Sequence, residues 1–206
     1  MKFKELFEMP TYIPGELPVS DVKVMIMSVD TLDREYDMLS NMKVGNMRVA
    51  AAIKKNKQSA IIGELTQRDD GVPSLRIMTT LTFHENADLG EAGGTALQVD
   101  TVITTDSAKG AGFGYQLYKA LLNAGYTLAS DNVQYIGGKE LWKKIVHRAA
   151  RDGHSVMILQ RGKYLRDAEG NPVIYNGLNV RDDVIWSQDK RSEDHYYTLL
   201  VARNVQ

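Results

Sequence analysis

Between Thr104 and Leu122 the chain reads TTDSAKGAGFGYQLYKALL, with glycine at positions 110, 112 and 114 directly before a run of helical apolar spacing. The amides that open a helix have no intrahelical partner and carry the positive end of its dipole. An entry without side chains therefore lets a phosphate come within hydrogen-bonding distance. Glycines also answer the φ demands of a plain surface turn, and that reading needs no ligand. Groups able to move a proton lie nearby in sequence: Asp100 on the stretch before the glycines, His84 and Glu85 before that, and Ser130, Asp131 and Tyr135 after the helix. Ser130 and Asp131 equally suit a cap or turn.

The spacing sorts the phosphate ligands. A nucleotide P-loop needs Lys and Ser or Thr after its last glycine, and Tyr115 stands there instead. A dinucleotide fingerprint needs G-x-G-x-x-G, whereas this segment is G-x-G-x-G. Asp131 falls about where a ribose-binding acid would sit, which keeps a dinucleotide-dependent oxidoreductase as an alternative. The upstream strands count against it, because they form an antiparallel meander and not an alternation of strands and helices.

The elements that must hold these residues follow from periodicity. Residues 1–18 end in YIPGELP and suggest an extended arm. Val22 to Val29 suits a short strand, and DTLDREYDMLSNM suits a helix capped by Asp30, with Leu32, Tyr36, Leu39 and Met42 on one face. Strands are expected at Met47 to Lys54, Ala60 to Thr66 and Ser74 to Phe83, the last two joined by QRDDGVP. A further strand, Thr95 to Thr105, leads into the glycines. The helix beyond them presents Leu117, Tyr118, Leu121 and Leu122 and closes at Gly125. Tyr126 to Ser130 reads as a buried strand parallel to the one before the glycines. GGKELWKKIVHRAARDG supplies a second helix with Leu141, Trp142, Ile145, Val146 and Ala149 inward. Strands at Ser155 to Gln160, Val173 to Tyr175 and Tyr196 to Ala202 complete the chain, with SQDKRSED a solvated loop between the last two.

At 206 residues the chain suits a single domain, 1–206, of α/β (α+β) class with a mixed sheet, residues 155–206 forming its C-terminal strands and loops. Its 25 basic and 26 acidic side chains create no overall field for nucleic acid. The absence of cysteine excludes disulfides and thiolate metal sites and fits a reducing compartment. His84, His147, His154 and His195 lack metal-ligand spacing, so no metal is expected, and the nine methionines suit core filling. No apolar run approaches the length of a membrane span, which makes the cytoplasm the expected compartment.

KGAGFGYQLYKALL, with the VDTVITT strand before it, resembles the R/Q-x-x-G-x-G/A segment of the GNAT family, the Gcn5-related N-acetyltransferases. The similarity of element order covers roughly residues 20–202. It implies a mostly antiparallel sheet splayed at a central parallel strand pair and flanked by helices, and acetyl-CoA as cofactor. By this resemblance Lys109, Gly110, Ala111, Gly112, Phe113, Gly114 and Tyr115 form the pyrophosphate loop, with Lys109 where the family usually has Arg or Gln. Val102, Ile103 and Thr104 face the pantetheine arm, and Trp142 stands on the helix that often carries a tyrosine proton donor. Ser130, Asp131, Tyr135 and Asp100 are the candidate catalytic residues, and the acceptor is an amine of a protein or small molecule. LASDNVQYIGGKELWKKI is similar to phage-encoded members, which would put the protein in a host cytoplasm. The departure at Trp142 leaves a non-catalytic protein of the same fold, acting by contact with a partner, as the other reading.

Overall fold

The structure is a computed structural model and describes residues 25–131, 136–186 and 197–203. The proposed arm at 1–18, Tyr135 and the SQDKRSED loop lie outside the described residues. The described elements run β1 (Ile26–Ser28), α1 (Val29–Glu35), β2 (Tyr36–Val44), β3 (Met47–Lys54), β4 (Ser59–Gln67), β5 (Pro73–Asn86), β6 (Ala96–Thr104) and α2 (Phe113–Asn123). They continue with β7 (Leu128–Ser130), α3 (Ile136–Ala149), β8 (His154–Gln160), β9 (Lys163–Tyr164), α4 (Asp182–Ile185) and β10 (Tyr197–Arg203). The fold is α/β with a mixed sheet. Its strand order is β2-β3-β4-β5-β6-β7-β10-β8-β9, with β1 paired to β5 off this path. All pairings are antiparallel except β6 with β7.

The expected meander is present, and its alternation decides which face each residue covers. On β3, Val49, Ala51 and Ile53 join the core under α2, while Ala50 and Ala52 join a second cluster with Leu32 of α1. Both faces of the sheet are thus covered at this strand, which explains why it is apolar without a break. α2 buries Phe113, Leu117, Tyr118, Leu121 and Leu122, and α3 buries Trp142, Ile145, Val146 and Ala149 in the same core. α2 ends as Gly125 turns to φ +91 and the Tyr126 amide donates back to the Leu121 carbonyl.

The helix expected from Asp30 to Met42 is corrected: α1 ends at Glu35, and Tyr36–Val44 is strand. The hairpin partner overrides the local periodicity, because β2 pairs β3 from Tyr36↔Lys54 to Val44↔Met47 around a turn with Gly45 at φ +60. The cap also moves, since the Ser28 hydroxyl, not Asp30, accepts from the Thr31 amide. The strand expected at Val173 to Tyr175 is reduced to an isolated bridge, Met157↔Ile174.

Besides β2, where Leu39 is unmatched between Met38↔Ala52 and Ser40↔Ala51, two strands carry an extra residue. Met78 is unmatched on β5 between Ile62↔Thr79 and Gly63↔Ile77, and Asp100 is unmatched on β6 between Thr82↔Thr101 and Phe83↔Val99. At the first bulge β4 and β5 approach so closely that a Cβ on Gly63 would lie 2.4 Å from the Arg76 carbonyl oxygen. Gly63→Ala is expected to destabilise the fold by about 1–3 kcal/mol. Gly71→Ala, in an open turn at φ +80, should cost less. Denaturant melts of both variants check this, and a Gly63→Ala protein as stable as the parent would contradict the close approach.

Candidate functional site

The parallel pairing of β6 with β7 is short. It covers Leu97↔Leu128, Gln98↔Ala129 and Val99↔Ser130 and then stops, although β6 continues to Thr104. The unmatched Asp100 lies directly after the last pair, so the described β6–β7 ladder ends at the bulge of β6. Beyond the bend the backbone directions follow from the ladder. The Thr105 amide donates to the Met78 carbonyl, so Thr105, Ile103 and Thr101 direct their main-chain groups at β5. Val102 and Thr104 therefore aim theirs to the β7 side, where no strand among the described residues pairs with them. Of the three residues assigned to that strand edge, Val102 and Thr104 present backbone there, and Ile103 spends its backbone on β5.

The glycine loop lies between the end of β6 and the start of α2. Gly110 and Gly112 have φ +79 and +86, and a Cβ on either would meet nothing within 4 Å. Both conditions fit a backbone bared for a ligand. The Lys109 and Ala111 amides turn back onto the Asp106 and Ala108 carbonyls. The amides of Gly110, Gly112, Phe113, Gly114 and Tyr115 donate to no carbonyl among the described residues. Gly112 caps α2 in the left-handed region and offers no side chain to satisfy these donors. The Lys109 ammonium lies 2.6 Å from the Asp106 carboxylate in an exposed pair.

Gly114 has a different role. Its Cβ position would face Leu141 Cδ2 of α3 at 3.3 Å and Val102 Cγ1 of β6 at 4.0 Å, so its bareness lets α2 pack closely on both. Phe113 is buried in the core. Trp142, assigned to the cofactor, is 1% exposed and meets Tyr118 edge-on with ring centroids 5.3 Å apart. That burial leaves it no surface to offer a ligand. The Tyr118 hydroxyl is buried as well, and burial pushes it well above the ordinary tyrosine range.

Ser130 is likewise buried, and its hydroxyl accepts from the Leu199 amide at 2.9 Å. Asp131 follows it at the end of β7, partly exposed. Asp100 meets His84 across the strands, with Oδ1 2.8 Å from Nδ1 and both side chains exposed. Leu81, Phe83, Val99 and Val102 pack under α2, so His84, Asp100 and Thr101 project from the opposite face. Asp100 and His84 were separate candidates in the sequence; the bulge makes them a pair. Glu85, one residue further along β5, is exposed.

A cluster that no short motif announces ties α2 to α3. The Tyr115 hydroxyl donates to Asp152, just beyond α3, whose carboxylate also lies 3.2 Å from Lys119 and 3.7 Å from Arg151. The Arg148 guanidinium lies 4.7 Å from the Tyr115 ring centre. Burial pushes the Asp152 carboxyl up, but the hydrogen bonds from Tyr115 and Lys119 outweigh it and hold the group below its ordinary value. Burial, followed by the neighbouring carboxylate, raises Tyr115. Tyr115 thus joins the core side of the helix pair, while its amide stays at the glycine loop.

Among the described residues no helix is long and apolar enough to cross a membrane, and no group of His, Asp or Glu is placed to hold a metal ion. No family model matches the sequence, and neither a curated protein nor a solved structure gives a significant match.

The depressed Asp152 contributes stability that is present above its unfolded value and is lost as acid protonates it in the folded state. Tyr115→Phe should cost about 1 kcal/mol at neutral pH. The difference from the parent should close as the pH falls through the Asp152 titration. Thermal melts from pH 7 down to pH 3 measure it, and a pH-independent difference would break the link to that carboxylate.

Proposed function

We propose that the chain is an acyl-CoA-dependent N-acyltransferase of GNAT-like fold, transferring acetyl from acetyl-CoA to an amine of a protein or small molecule by direct attack. The observation that carries this reading is the juxtaposition of two backbone features, the stretch of β6 that runs on past its last pair with β7 and the donors at Gly110 and Gly112–Tyr115, which meet no carbonyl among the described residues. A diphosphate suits the loop amides, which supply aligned N–H groups at the positive end of α2. An extended amide-containing arm suits the free edge at Val102 and Thr104, where it would pair as a short strand does. The thioester end then reaches the bend at Asp100. A mixed sheet with one parallel pair among its described strands, β6 with β7, supports the resemblance.

The chemistry falls to the opposite face of the sheet. Asp100 accepts from the Nδ1–H of His84, which orients the ring and leaves Nε2 to take a proton. The acceptor amine loses a proton to Nε2 as its nitrogen bonds to the thioester carbonyl carbon. Collapse breaks the carbon–sulfur bond, and the thiolate leaves to be protonated by solvent. In this reading Ser130 holds strand β10 in place and does not touch the reacting atoms.

A second reading, the same fold binding CoA or a protein partner without turnover, is favoured by the burial of Trp142 and of the Tyr118 hydroxyl, which leaves neither available as a proton donor. Turnover separates the two.

Gly112→Val places a branched side chain in front of the loop amides and in the left-handed region, at a fold cost of roughly 1–2 kcal/mol. The variant should remain folded and lose CoA binding, and calorimetry showing unchanged affinity would remove the loop from the site. His84→Ala should lower kcat about a hundredfold or more with CoA affinity retained. Release of free thiol from acetyl-CoA with amine acceptors reads this, and undiminished release would sink the assigned base.

A further inference from the structure

The chain is close to neutral overall, yet one face beside the glycine loop is cationic. On α3, Lys144 and Arg148 share a face four residues apart, and Arg151 follows three residues further on, just past the helix. Lys144 is exposed, and no carboxylate among the described residues pairs with it, whereas the remaining lysines and Arg151 have acidic partners. Lys139 and Lys143 both reach Asp182, at 3.4 and 2.7 Å, and Lys119 and Arg151 lie against Asp152. Arg148 differs. Its guanidinium lies over the Tyr115 ring, and among the described residues no carboxylate pairs with it. Tyr115 carries both features, since its own amide is one of the free donors of the loop and its ring supports the cation. The hydroxyl bond to Asp152 fixes that ring, so the distance from loop to guanidinium is set by a single held side chain.

Resting on the function proposed above, we infer that Arg148 binds the 3′-phosphate of the CoA nucleotide and makes the site select CoA over its 3′-dephospho form. The loop amides then hold the diphosphate, and the nucleotide lies along the α2–α3 edge toward Arg148. A planar guanidinium, already supported on an aromatic face, suits a phosphate monoester better than an ammonium would. Asp152 does not compete for it, because Tyr115, Lys119 and Arg151 already engage that carboxylate.

Calorimetric titration of the full chain with CoA and with 3′-dephospho-CoA tests this. The parent should prefer CoA by about tenfold or more, and the preference should shrink as ionic strength rises. Arg148→Ala should abolish the preference by weakening CoA alone, with affinity for dephospho-CoA unchanged. Arg148→Met, which keeps an apolar stem over the Tyr115 ring, should do the same and serves if the alanine variant fails to fold. A parent that binds both ligands equally overturns the inference, as does a variant that keeps the preference or loses both ligands alike. A parent that binds neither ligand overturns the proposed function instead, so the two failures are distinct.

Discussion

One unpaired residue in β6 governs the layout. Up to Val99 that strand is held between β5 and β7, and after Asp100 it pairs, among the described residues, with β5 alone. An unfilled strand edge inside a sheet is costly if it is closed off from solvent and ligand, because its amides and carbonyls have no partner there. Here the residues from Thr101 to Thr104 are all partly exposed. The bulge also turns two consecutive side chains, Asp100 and Thr101, to one face, which brings a carboxylate to His84.

The helix pair sets where the glycine loop stands relative to β6. α2 has to start where β6 runs out, yet it must stay close to both β6 and α3, and Gly114 permits this by letting Leu141 and Val102 come to contact distance. Tyr118 against Trp142 and Tyr115 against Asp152 fix the crossing at two further points. With the helix held so, its first amides have no side-chain cap and donate to no carbonyl among the described residues. Such donors cost little while water reaches them, and they are preorganised for an anion.

Most strands and both long helices were legible in the sequence, because each has an apolar period that its final environment respects. The segment Tyr36 to Met42 was misleading for a physical reason. Its apolar residues at helical spacing also fit a strand whose phase shifts at a bulge, with Tyr36 in one core and Leu39, Met42 and Val44 against the other, and only the pairing with β3 decides between them. The loop glycines were visible as a cluster, but their separate duties were not. Gly110 and Gly112 serve φ and open space, whereas Gly114 serves packing against residues 12 and 27 positions away, a long-range fact. The same holds for Asp152, 37 residues from the tyrosine that donates to it. Trp142 looked like a substitute for a site tyrosine, and its place in the helical apolar stripe was the better guide.

Ser130 shows how the two sides of the cleft are kept apart. It pairs with Val99 at the last level where β6 and β7 touch, and the bulge that diverts β6 begins at the next residue. At this level β7 also ends, so β10 needs an acceptor for the Leu199 amide that a longer β7 would have supplied through its backbone. The serine hydroxyl fills that need at 2.9 Å, and β10 continues alongside β8 without β7. A side chain thus closes the ladder on one side of the gap while a bulge opens it on the other. Extending β7 by two paired residues would remove both conditions at once and seal the edge at Val102. The short β7, with its terminal serine, is therefore as much a part of the cleft as the glycine loop.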